Sequence, residues 1–66
     1  MSVLKVIEIL SSSDKSWEDA AIKAVADATK TVRGIKSVNI KNLSAVVNDG
    51  KITEYRLNGK ITFEVQ

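Results

Sequence analysis

The chain contains no cysteine and no histidine, so its chemistry must come from hydroxyls, carboxylates, amides and the cations of lysine and arginine. That excludes nucleophile–base pairs built on a thiol or an imidazole, and it excludes soft metal sites. Ser11, Ser12 and Ser13 form a hydroxyl cluster with Lys15 as the nearby base. Serines in a row ahead of a helix start read more simply as a polar connection than as a Ser-Lys site. The glycines, Gly34, Gly50 and Gly59, stand apart and build no phosphate-cradling loop. The acidic residues do not follow EF-hand spacing, so a calcium site would have to draw oxygens from separate segments or subunits. Arg56 and Lys60, interleaved with Glu54 and Glu64, present a mixed-charge strand face that could contact an anionic ligand, with cross-strand ion pairing or solvation as the plainer role. The single tryptophan, Trp17, falls in a first helical turn, where packing over a sheet edge is the stronger reading than stacking on a ligand. These residue types point away from an enzyme.

The elements that must hold these groups follow from the apolar pattern. Val3 to Leu10 is a dense apolar run broken only by Lys5 and Glu8, rich in β-branched residues, and is predicted as the first strand. Ser11 to Lys15 is predicted as a loop leading into a helix. Ser16 is placed to cap that helix, and Glu18 and Asp19 put negative charge at its positive end. Apolar residues at Trp17, Ala21, Ala24, Ala28 and Val32, widened by Ala20 and Val25, predict helix from Trp17 to about Arg33. Gly34 is then the left-handed stop, with Lys30 and Arg33 in the last turn. The alanines keep the buried face narrow, so the sheet can approach closely. Ile35 to Val47 reads as strand, with a slip in alternation around Asn42-Leu43-Ser44 that predicts a bulge or bend. Asn48-Asp49-Gly50 is a hairpin turn signal. In the last strand Tyr55, Leu57, Ile61, Phe63 and Val65 point one way and Glu54, Arg56, Asn58, Lys60, Thr62 and Glu64 the other. Gly59 lies on the apolar face, where a missing side chain marks a bulge or a close approach.

The fold class expected is α+β, a β-α-β-β subunit with a three-stranded antiparallel sheet, order 1-3-2, wrapped on one helix as a single domain over residues 1–66. With 66 residues such a domain buries only about 60% of the surface its unfolded chain exposes. Neither disulfide nor histidine–cysteine metal site can reinforce it, so association is the route left. The open sheet edges point the same way, and symmetric assembly is expected. Ten basic and eight acidic residues give a net charge of +2 with the signs interspersed, which argues against a nucleic-acid groove. No apolar stretch approaches the roughly 20 residues of a membrane span, and the first residues lack a signal-peptide layout, so a cytoplasmic protein without membrane contact is expected.

Several segments in order resemble the dodecin family: Lys5-Val6-Ile7-Glu8-Ile9, Ser16-Trp17-Glu18-Asp19-Ala20, Thr31-Val32-Arg33-Gly34-Ile35, Asp49-Gly50-Lys51-Ile52, Glu54-Tyr55-Arg56 and Phe63-Glu64-Val65. Their order, spacing and total length together carry the resemblance over nearly the whole chain. It implies a hollow homododecamer of β-α-β-β subunits. Flavin-binding members hold pairs of riboflavin or FMN between tryptophans of neighbouring subunits and are regarded as flavin stores rather than enzymes. The stacking tryptophan of those members corresponds here to Ser37, in Ile35-Lys36-Ser37-Val38, and a flavin-contacting glutamine corresponds to Arg56. Aromatic stacking is worth about 1 to 3 kcal/mol per contact, so its loss weakens flavin binding by one to two orders of magnitude or more.

The expected ligand pocket therefore surrounds Lys36, Ser37 and Arg56 at subunit interfaces. Flavin is the ligand the resemblance implies, and an anionic or phosphate-bearing molecule is the one the substituted residues suit better. The competing expectation is a flavin-free shell with a structural or calcium-binding role, in which Glu8, Glu54 and Glu64 meet at symmetry axes.

Overall fold

In a computed structural model the described residues are 3–65, so residues 1, 2 and 66 of the expected domain and leader reading lie outside them. The chain runs β1 (Val3–Ser13), α1 (Trp17–Thr29), β2 (Ile35–Asn48) and β3 (Lys51–Val65). The sheet has the order β1-β3-β2, with β3 antiparallel to both neighbours, so β1 and β2 run parallel to each other as the crossover requires.

β1 is longer than its apolar run. Ser11, Ser12 and Ser13, expected in a loop, continue the strand opposite Leu57, Arg56 and Tyr55. The ladder uses backbone groups, which polar side chains do not disturb, and the Ser11 and Ser13 hydroxyls are used against the helix while Ser12 lies on the other face opposite Arg56. Ser11 Oγ donates to the Ala20 carbonyl at 2.8 Å, and the buried Ser13 hydroxyl donates to Asp19 Oδ2 at 2.5 Å while accepting from the Lys15 N–H at 2.9 Å. Polarity in this segment marks a helix–strand joint, not a chain reversal.

Ser16 caps α1 as expected, its hydroxyl accepting from the Asp19 N–H at 2.9 Å. The helix ends at Thr29, four residues before the predicted Arg33. Val32 N–H still bonds the Ala28 carbonyl at 2.8 Å, which closes the end without continuing the helix. Lys30 and Arg33 consequently lie beyond the last turn, which holds no basic residue. Gly34 has the predicted left-handed φ of 75°, but it acts at the sheet. Its carbonyl accepts from Glu64 N–H at 2.9 Å, and a Cβ there would sit 3.0 Å from the Glu64 carbonyl oxygen.

The slip in β2 has a simple geometry. Register shifts fall between Ile35 and Ser37 and between Ile40 and Asn42, so Lys36 and Lys41 are the extra residues of two bulges. Each bulge sets two adjacent side chains opposite one partner. Lys36 and Ser37 thus share the face of Thr62, and Lys41 and Asn42 that of Asn58, while Ile35, Val38, Ile40, Leu43 and Ala45 all stay on the helix side. Asn48 pairs with Lys51 across a two-residue turn in which Asp49 (φ 55°) and Gly50 (φ 77°) are both left-handed, the geometry that matches strand twist.

Ala20 of the helix and Leu57 and Ile61 of β3 are the buried apolar side chains among the described residues. Burying a large aliphatic side chain is worth about 1.5 to 3 kcal/mol, whereas ordering each residue costs about 1 to 2 kcal/mol. So small a core leaves the single chain marginal. Leu4, Val6, Leu10, Ile22, Leu43 and Val47 are all more than half exposed. The chain presents 5034 Å² of surface, against roughly 4,100 Å² for a compact monomer of its 7.2 kDa mass.

Candidate functional site

The sheet has two unlike faces. The face under α1 collects the apolar side chains of β3 and all three aromatic residues, while Leu4, Val6 and Leu10 of β1 lie on the other face, opposite Glu64, Thr62 and Asn58. Trp17 is half-buried in the first helical turn, meets the Tyr55 ring edge-on at a centroid distance of 5.0 Å, and donates its Nε1–H to the Ser44 carbonyl of β2 at 2.8 Å. Phe63 alternates onto the same face as Tyr55. The expectation that Trp17 packs over a sheet edge is met, and the ring is committed to the fold.

The opposite face is polar along β3, with Glu54, Arg56, Asn58, Lys60, Thr62 and Glu64 in succession. Arg56 lies in the central strand between Ser12 of β1 and Ser44 of β2, and its guanidinium is 3.5 Å from Glu54 Oε2. One row further along, Asn58 lies between Leu10 and Asn42. These residues wall a recess of about 560 Å³ around Arg56. Hydroxyls, amides, one guanidinium and the Glu54 carboxylate paired with it surround it, with Leu10 and Leu57 supplying an apolar wall. That combination offers hydrogen-bond donors and acceptors and one paired cation to a polar molecule.

Of the residues expected to form the site, the structure places Arg56 in this recess and Lys36 and Ser37 elsewhere. Ser37 pairs with Thr62, six residues from Arg56 along β3, about 20 Å at strand rise. Within one chain the three do not share a cavity. Ser12, Asn42, Ser44 and Asn58 were not foreseen as lining residues. Alternation on β3 and the register opposite it carry the signal for them, but the Ser11–Ser13 loop reading and the unplaced bulge hid it.

The carboxylates of the calcium expectation are likewise dispersed. Glu8 pairs with Lys60, Glu54 with Val46 and Glu64 with Leu4. Among the described residues no three acidic side chains lie together in one chain in a way that would hold a metal ion. The one carboxyl with a clear perturbation is Asp19, held below its ordinary value of 3.8 first by the Ser13 hydroxyl and then by Lys23, whose ammonium is 3.2 Å away. It serves the joint between β1 and α1. A stacked flavin ring finds no aromatic partner on the polar sheet face, since Trp17, Tyr55 and Phe63 lie on the other side. No described helix is long and apolar enough to cross a membrane.

A three-stranded antiparallel sheet around one short helix, with a small core and a polar recess on its open face, defines a small α+β domain of the β-α-β-β class. The Dodecin family model matches residues 3–66, and the chain belongs to the dodecin family. It is 42% identical over 67 residues to the calcium dodecin of Mycobacterium tuberculosis, covering 100% of this chain and 93% of that protein. The crystal structure of calcium dodecin from the same organism, described as calcium-chelating with a calcium-binding site, superposes with a TM-score of 0.84 at 36% identity, covering 98% of this chain and 93% of that one. A Thermus thermophilus dodecin variant superposes with a TM-score of 0.94 at 24% identity, over 100% and 98% of the two chains, which supports the fold.

Proposed function

We propose that this chain is the subunit of a cytoplasmic, non-enzymatic homododecamer that binds a small polar ligand on the open faces of its sheets. The observation that carries the ligand reading is the recess around Arg56, a cation paired with Glu54 and set among hydroxyls and amides in a strand centre. Large apolar side chains left outside the core support the assembly, because burying them between copies supplies the stability one chain lacks. Lys36 and Ser37 join the ligand surface only if a neighbouring copy brings them to the Arg56 recess of the next. Flavin, riboflavin or FMN, is the family-implied ligand, bound weakly because Ser37 offers no ring. Fluorescence titration tests this: no flavin quenching at tens of micromolar removes the flavin reading and leaves the assembly. Native mass analysis tests the assembly itself, since a stable monomer would overturn it.

The 42% identity to a protein named calcium dodecin favours a second reading, calcium binding by the shell. With Glu8, Glu54 and Glu64 apart in one chain, the ion would be held by carboxylates of several copies meeting at a symmetry axis. Melting with calcium and with chelator decides it, and an unchanged midpoint counts against the ion.

A further inference from the structure

The two bulges of β2 do more than rescue the apolar alternation. At the second one, Lys41 and Asn42 are side by side on the open face. Asn42 turns to the recess around Arg56, and Lys41 lines a second recess of about 360 Å³. That second recess is walled by Lys41, Lys60, Asn58, Glu8 and Leu10, and it shares Asn58 and Leu10 with the first. Lys41 and Lys60 thus line one cavity together with Asn58 and one acidic residue, Glu8, which pairs with Lys60 across the sheet. The balance is one net positive charge in a concave surface. Lysines are strong point-charge partners for phosphate, and a neighbouring amide N–H adds directionality.

We propose that Lys41, Lys60 and Asn58 form a binding site for the phosphate group of a small phosphomonoester, whose remaining part extends into the Arg56 recess. Resting on the reading of the open sheet face as the ligand surface, this adds the class of ligand and the residues that select it. Arg56 and Lys60 are four residues apart on one strand, about 14 Å between their Cα atoms, so a single elongated ligand reaches both. Two ammoniums in the recess make it hostile to calcium, so Glu8 here moderates an anion site instead of supplying a cation site.

The decisive experiment is calorimetric titration of the assembled protein with inorganic pyrophosphate, comparing wild type with Lys41→Gln, Lys60→Gln and Glu8→Gln. These side chains are exposed, and sedimentation confirms that each variant assembles. Either lysine substitution is expected to weaken binding about tenfold or more, because a charge-assisted contact is lost, and Glu8→Gln to strengthen it. Lys41→Arg restores affinity. Unchanged affinity in both lysine variants, or weaker binding in Glu8→Gln, overturns the site. Riboflavin and FMN separate the two readings: FMN binding tighter than riboflavin only when Lys41 is present supports the site. Equal binding of both flavins overturns the phosphate site and leaves the ligand surface standing. If neither flavin binds while pyrophosphate binding still depends on Lys41, flavin is removed as the ligand and the site stands.

Discussion

Replacing Gly59 by alanine is the most severe single-methyl change the fold predicts. Gly59 lies buried in the central strand, opposite Ile9 on one side and Ile40 on the other, one residue before the Lys41 bulge on β2. A Cβ built there meets the Asn39 carbonyl oxygen at 2.1 Å, the Asn39 carbonyl carbon at 3.1 Å and the Ile40 Cα at 3.2 Å. All three are backbone atoms, so no side chain can turn away. Restoring ordinary contact at 3.4 Å requires β2 to move about 1.3 Å from β3, through a ladder whose hydrogen bonds tolerate only a few tenths of an ångström. Overpacking of this kind costs about 1 to 3 kcal/mol, and the upper end is expected because the backbone must move. For a domain of this length each kcal/mol lowers Tm by about 4 to 8 °C, so Gly59→Ala should melt at least 10 °C below wild type at the same subunit concentration. Thermal unfolding followed by circular dichroism, with sedimentation to register the assembly, measures it. Gly50→Ala is the control. It has open space around its Cβ and a φ of 77°, so it loses only the conformational term of about 1 to 2 kcal/mol. A Gly59→Ala protein melting within a degree or two of wild type, or above Gly50→Ala, would refute the close-approach reasoning.

Other substitutions follow from single contacts. Ser16→Ala removes the hydroxyl that accepts from the Asp19 N–H and should cost about 1 kcal/mol in urea unfolding, with little change in the slope. Trp17→Phe keeps a ring against Tyr55 but loses the donor to the Ser44 carbonyl, for about 0.5 to 1.5 kcal/mol, and should leave ligand titrations unchanged because the ring lies on the helix side. Asp19 has its folded pKa depressed, so below the ordinary value of 3.8 the unfolded chain binds more protons than the native one. Its stabilisation is therefore present above that pH and is lost as pH falls through the lower folded value. Ser13→Ala, which removes the largest cause, should flatten acid melting in that window, and an unchanged acid limb of the stability curve would contradict the Ser13–Asp19 pairing.

The sequence by itself determined the order of elements, the cap at Ser16 and the Asp49-Gly50 turn, it marked Gly59 as a bulge or a close approach, and with the crossover rule it pointed to the antiparallel 1-3-2 sheet. All but the strand order rest on local backbone chemistry or on a periodicity of the chain, which the residues carry with them. The segments resembling dodecins were legible in the same way, from their order and spacing along the chain. What only the tertiary structure decided depends on partners distant in the chain. Polar Ser11 to Ser13 became strand because β3 offered a ladder and α1 offered Ala20 and Asp19 to their hydroxyls. The helix stopped at Thr29 because the chain had to climb to Gly34, where Glu64 waits across the sheet. The phase slip in β2 resolved into two bulges once register against β3 was fixed, and that register gathered Ser12, Asn42, Ser44 and Asn58 around Arg56 and set Lys41 beside Lys60. A recess on a sheet face is made by three strands at once, and the order of residues along one strand does not contain it.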